Sequence, residues 1–238
     1  MHREHHRWHS PALGRDMQLL QFGHAGARVL VFPTSMGRFF EWEDRGMIGA
    51  LAHAIEQGWF QLWCVDSVDE ESWYAKWKHP HDRAWRHAQY DAYLRDEVLP
   101  LTQHRNGHPF LVTVGASFGA YHAINFAMRY PDRVGRALGV SGLYDIREQT
   151  GGWSDELVYQ HNPADFVMGE HGARLAQLQR LDIVLAIGRD DPMRGNNEWF
   201  SGRLWEKGIW HALRIWDGWA HDWPYWAQMV PMYLGGSD

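Results

Sequence analysis

Short apolar runs, each followed by a turn and then by a stretch with helical spacing, recur along this chain. That alternation leaves few folds open. Arg28-Val29-Leu30-Val31-Phe32 has the pattern of a buried strand and is stopped by Pro33. Residues 46–56 follow with Met47, Leu51 and Ile55 spaced by four, and Phe60 to Val65 is a second apolar run. Residues 81–99 carry Tyr90, Leu94 and Val98 on one helical face, with Pro100 as the expected stop. The pattern continues with a strand over 110–114 and a helix over 118–129, then a strand over 137–141. It closes with a strand over 183–187, a helix over 196–207, a strand over 212–216 and a helix over 223–234. Strands that alternate with helices of this length require parallel crossovers, so the reading is α/β: one mostly parallel, doubly wound sheet with helices on both faces.

No repeat, linker or composition break divides the 238 residues, and a single domain over 1–238 is expected. Residues 1–17 read as a loose N-terminal segment. Residues 146–180, more polar and irregular, read as a lid-like excursion over the top of the sheet. A formal charge of −6, with no Lys/Arg-rich block, gives no reason to expect a nucleic-acid partner. No stretch approaches the length of a membrane span, and the first residues lack the apolar core of a signal peptide. A cytoplasmic location fits best, with a mature secreted form as the alternative. Cys64, the sole cysteine, lies in an apolar run and reads as a buried small hydrophobe. His2, His5, His6 and His9 crowd the start, but a histidine tract without a fixed partner set reads as a solvated tail and not as a metal site.

In doubly wound sheets, ligands sit at the carboxyl ends of the strands, so polar residues just after a strand are site candidates. Gly115-Ala116-Ser117-Phe118-Gly119 is a weak pattern by itself in a chain with 24 glycines. Its position strengthens it, because Ser117 stands between a buried strand and an amphipathic helix. That is the context of a nucleophile elbow, in which small neighbours allow a tight turn and the helix N-terminus faces the serine. A serine hydroxyl needs a histidine to take its proton and a carboxylate to fix that histidine's tautomer. His221 follows the last strand in Asp217-Gly218-Trp219-Ala220-His221, where such a base belongs. The strand over 183–187 runs into Gly188-Arg189-Asp190-Asp191-Pro192; Asp191 is preferred to Asp190 as the acid, and Asp145 is a second choice. His122, inside the helix, reads as structural. An oxyanion hole would draw one backbone N–H from Phe118 and another from the loop 33–37. Pro33 has none to give, which leaves Ser35 or Met36, with Ser35 preferred.

The segments GASFGAYHA, GRDDP with Asn196-Asn197 downstream, and GWAHDWPYW together resemble the esterase family of α/β-hydrolases. That family includes S-formylglutathione hydrolases, feruloyl esterases, siderophore esterases and mycolyltransferases. The resemblance spans roughly residues 18–235. It implies a single α/β-hydrolase domain that cleaves small-molecule carboxylic esters through an acyl-serine, with Asp191 at the acid position and no cofactor. The chain departs from many relatives by carrying Pro33-Thr34 where they have His-Gly. Met36, Trp42, Trp153 and Trp223 are candidate substrate contacts. Acyl transfer by the same residues is the competing activity, and a non-catalytic hydrolase-fold binding protein is a third possibility. Neither the identity of the ester nor the oligomeric state is legible.

Overall fold

A computed structural model describes residues 1–235. Eight strands form one sheet in the order β1-β2-β4-β3-β5-β6-β7-β8. They are β1 (Arg3–Ser10), β2 (Arg15–Phe22), β3 (Ala27–Phe32), β4 (Phe60–Val65), β5 (Leu111–Ala116), β6 (Arg136–Val140), β7 (Asp182–Gly188) and β8 (His211–Trp216). From β4 through β8 every pairing is parallel, whereas β1–β2 and β2–β4 are antiparallel. Four longer helices matter for the site: α1 (Pro80–Tyr93), α2 (Phe118–Arg129), α3 (Arg194–Glu206) and α4 (Trp223–Leu234).

The strands are apolar on both faces because helices cover both. Leu30 and Phe32 of β3 point into one core with Trp63, Tyr90, Tyr93 and Phe126. Val29 and Val31 point into the other, with Val112, Val114, Met47, Ile48, Trp226 and Met229. Cys64 is buried in that second layer, and burial pushes its thiol pKa far up, so it is an inert packing residue. Among the described residues no helix is long and apolar enough to cross a membrane.

Three expectations need correction. Residues 1–17 are not loose: β1 and β2 form an antiparallel hairpin on the edge of the sheet. Its inner side carries Glu4, His6 and Ser10 beside Trp8, and these polar residues hid the alternation. His6 lies against Trp63 and Trp8 against Tyr93, at ring separations of 5.7 and 5.6 Å. Trp8 Nε1 and Ser10 Oγ both donate to Glu97, at 2.7 Å each. Next, residues 46–56 are not one helix but two short ones, Met47–Ala50 and Ala52–Glu56, which meet at Leu51. Finally, Pro100 does not end the helix it follows. A π turn over Leu94–Val98 leads into a further helix, Leu99–Arg105, with Pro100 in its first turn, where a missing N–H costs nothing. Residues 146–180 leave the sheet between β6 and β7 and form four short helices: Arg147–Thr150, Glu156–Gln160, Pro163–Gly169 and Gly172–Leu178.

Candidate active site

Ser117 sits between β5 and α2 with φ 54° and ψ −123°. A side chain rarely adopts this geometry, and holding it costs roughly 1–3 kcal/mol. The surrounding chain imposes it. Ser117 N donates to Val140 O of the neighbouring strand at 2.9 Å. A Cβ on Gly115 would stand 2.1 Å from Gly119 O, and one on Gly119 would stand 2.4 Å from Pro33 O. Both glycines are therefore required by close backbone approach.

His221 Nε2 lies 3.2 Å from Ser117 Oγ, and His221 Nδ1 lies 2.7 Å from Asp191 Oδ2. With a carboxylate accepting at Nδ1, that nitrogen carries the proton and Nε2 is left to accept from the serine. The Asp191 side chain is fully buried, while that of His221 is 22% exposed. Asp191 Oδ1 accepts from Met193 N at 2.8 Å, so both of its oxygens are occupied. Asp190 is exposed and its N–H donates to Gly218 O at 3.0 Å, tying the loop after β7 to the loop after β8. Asp145 is engaged elsewhere, accepting from Arg147 and Asn162.

The His221 loop has a second anchor. Ser141, just after β6 and at φ 52°, donates from Oγ to Ala220 O at 3.1 Å and accepts from Trp226 Nε1 at 3.0 Å. Trp226 in turn lies edge-on to the His221 ring at 5.5 Å.

The loop after β3 offers few free donors. Thr34 N donates to Glu41 Oε2 at 2.8 Å, Met36 N to Asp69 Oδ2 at 3.0 Å and Gly37 N to Thr34 O at 2.9 Å. Ser35 N has no acceptor among the described residues. Phe118 opens α2, where the first N–H groups have no intrahelical acceptor. Tyr74 OH donates to Ser35 Oγ at 2.7 Å, and its ring meets Phe118 edge-on at 5.0 Å. Burial pushes the Tyr74 pKa up, which keeps this hydroxyl a donor.

The candidate substrate contacts separate. Met36 is 53% exposed, beside the free Ser35 N–H. Trp223 is half-buried, edge-on to Trp226 at 5.0 Å and covered by the Arg45 guanidinium. Trp153 is half-buried and packs with the cluster that holds Phe118 and Tyr121. Trp42 does not belong with them: it is 1% exposed and part of the core, because the short helix Glu41–Asp44 turns that residue inward. Trp219, which was not anticipated, is 51% exposed and stacks on His221 at 5.7 Å. Asp69 and Tyr74 were also missed. Asp69 follows β4 and could have been found by the strand-end rule, whereas nothing in the sequence marks Tyr74.

A serine after β5, an acid after β7 and a histidine after β8, in this order on a mostly parallel sheet of this kind, are the arrangement of an α/β-hydrolase. A family model described as "Putative esterase" matches residues 42–234, and the chain belongs to that family. It is accordingly a hydrolase of carboxylic esters. No curated protein matches in sequence. Solved structures match in fold at low identity. A ferulic acid esterase superposes with a TM-score of 0.80 at 17% identity, over 98% of this chain and 96% of its own. An S-formylglutathione hydrolase from Agrobacterium tumefaciens gives 0.76 at 15% identity, over 98% and 92%. A fluorophosphonate-binding serine hydrolase, FphF of Staphylococcus aureus, gives 0.71 at 16% identity, over 98% and 96%.

Proposed function

We propose that the chain cleaves small carboxylic esters through an acyl-serine formed on Ser117. The hydrogen-bonded series Ser117–His221–Asp191, anchored on a strained elbow, carries this reading. As Ser117 Oγ attacks the ester carbonyl carbon, His221 Nε2 takes the hydroxyl proton. Asp191 holds the Nδ1–H and offsets the charge that develops on the imidazolium. The carbonyl oxygen becomes an oxyanion and accepts from Ser35 N and Phe118 N. Collapse breaks the ester C–O bond, and His221 gives its proton to the departing alkoxide, which leaves as the alcohol. A water then repeats the sequence on the acyl group, with His221 as base, and frees the acid. The partial exposure of His221 supports water as the second nucleophile.

The test is hydrolysis of 4-nitrophenyl acetate by the wild type and by Ser117→Ala. The variant is expected to lose at least about a thousandfold in kcat/KM. Equal rates in both would overturn the reading. Glycerol added to the same assay distinguishes acyl transfer, since a glycerol ester in place of the free acid would mark the second activity.

A further inference from the structure

We infer that Asp69 and His122 form a buried positioning pair that aims the two oxyanion donors. The inference rests on the esterase reading of Ser117 and deepens it. Asp69 has a fully buried side chain, and that of His122 is 1% exposed. Asp69 Oδ1 lies 2.8 Å from His122 Nε2, and Oδ2 accepts the Met36 N–H at 3.0 Å. One carboxylate thereby joins the loop that carries Ser35 to the helix that begins at Phe118.

Each contact bears on a donor. Met36 has φ 55°, a left-handed conformation that disfavours a side chain, and its bond to Asp69 holds it there. With the N–H groups of residues 34, 36 and 37 occupied inside the protein, Ser35 N is the loop donor left to face a ligand. Asp69 O also accepts from Tyr74 N at 2.9 Å, and Tyr74 returns to Ser35 through its hydroxyl. On the helix side, the His122 ring stands edge-on to Phe118 at 5.0 Å and stacks with Phe32, the last residue of β3, at 5.9 Å. His122 thus touches the start of the loop and the residue after the nucleophile at once. A buried carboxylate is costly unless fully paired, and here both oxygens are spent on this junction. Asp69 and His122 touch no reacting atom in this scheme; they act through Ser35 and Phe118.

The test combines Asp69→Ala, Asp69→Asn and a tetrahedral mimic. Asp69→Ala is expected to lower kcat for 4-nitrophenyl acetate by about 10- to 100-fold, with KM within about threefold, since the loss falls on transition-state stabilisation. An alkyl trifluoromethyl ketone, whose serine adduct carries an oxyanion, should bind more weakly by the factor lost in kcat/KM. Asn retains one acceptor for Met36 N–H and one group for His122, so Asp69→Asn should recover most of the rate. An Asp69→Ala variant that keeps the wild-type ketone affinity would overturn the proposal. A readout independent of turnover is amide exchange by NMR: in the wild type, Met36 N–H should be at least about tenfold better protected than Ser35 N–H. Equal protection would also overturn it, whether or not Asp69→Ala folds. Failure of the wild type to react with the ester or with a fluorophosphonate would instead sink the esterase reading, and the amide comparison would still decide the geometry.

Discussion

At the scale of the residue, the clearest feature is how closely packed backbone selects glycine on both sides of Ser117. The clash distances set the expectation for Gly119→Ala. Its new methyl would meet Pro33 O at 2.4 Å and Phe32 O at 2.6 Å, both main-chain atoms that cannot swing aside. The substitution should cost at least about 2 kcal/mol of stability and push the 33–37 loop away from the elbow. Urea unfolding reads the first effect, and a fall in kcat at unchanged enzyme concentration reads the second. The two adjacent aspartates make a sharper comparison. Asp191→Asn puts an amide against His221 Nδ1 and favours the wrong tautomer, so kcat should fall by about 10³–10⁴-fold. Asp190→Asn, at an exposed position whose backbone alone is engaged, should stay within about twofold of the wild type. Parallel losses in both variants would contradict the assignment. The hydrogen-bonded series Ser117, Asp191 and His221 was legible because a hydrolase of the proposed kind would carry those side chains in that chain order at the ends of parallel strands. Trp42 misled because a large aromatic near a strand end looks the same in sequence whether its short helix turns it inward or outward.

At the scale of the element, the parallel strands could be read to within a residue or two, since apolar runs buried on both faces leave little ambiguity. The edge hairpin could not. Its inward side chains are His6, Trp8 and Ser10, whose burial depends on Trp63, Tyr93 and Glu97, residues far away in sequence. The π turn after α1 was hidden for a related reason: its spacing differs from the 3.6-residue period by too little to register in so short a stretch. What the elements achieve together is clearest where β7 ends. Gly188 lies so close to the His221 loop that a Cβ would stand 2.0 Å from Trp219 O. Arg189 N and Asp190 N then donate to Trp216 O and Gly218 O, so the loop that carries Asp191 and the loop that carries His221 form one unit. Gly188→Ala should split that unit and lower kcat by at least about tenfold, with a lower melting temperature. Gly202, on the exposed side of α3, has nothing within 4 Å of its would-be Cβ. Gly202→Ala should therefore stabilise the fold by about 0.5–1 kcal/mol and leave the rate alone. If the two alanines moved stability in the same direction, the close-approach account of Gly188 would fail.

At the scale of the whole molecule, α1, α2 and the excursion 146–180 meet in a buried polar cluster that couples fold stability to pH. His87 from α1 and His161 from the excursion lie with ring centres 4.6 Å apart, and His122 of α2 stacks on His87 at 5.4 Å. Asn125 and Tyr121 complete the contacts, with Tyr121 OH donating to His161 O at 2.8 Å. Burial holds the pKa of His87 well below its ordinary value, and His161, His122 and Arg129 nearby depress it further. His161 is depressed in the same direction, by burial first and then by Arg129 and His122. In the unfolded chain these rings return to a pKa near 6.5. Between the native and unfolded values the unfolded chain binds more protons, so stability falls as pH drops below about 6.5 and is fully present above it. Each histidine contributes a slope of up to about 1.4 kcal/mol per pH unit in that window. Replacing one of them by a non-titrating aromatic ring isolates the effect. His87→Phe should unfold in urea with a shallower pH dependence between pH 7 and pH 5, by a slope equivalent to about one proton, whatever its stability at pH 7. The carboxylates that titrate lower down are common to both proteins and cancel in the comparison. An unchanged slope would mean that His87 titrates alike in the folded and unfolded chain, and the account in which burial keeps it neutral would fail.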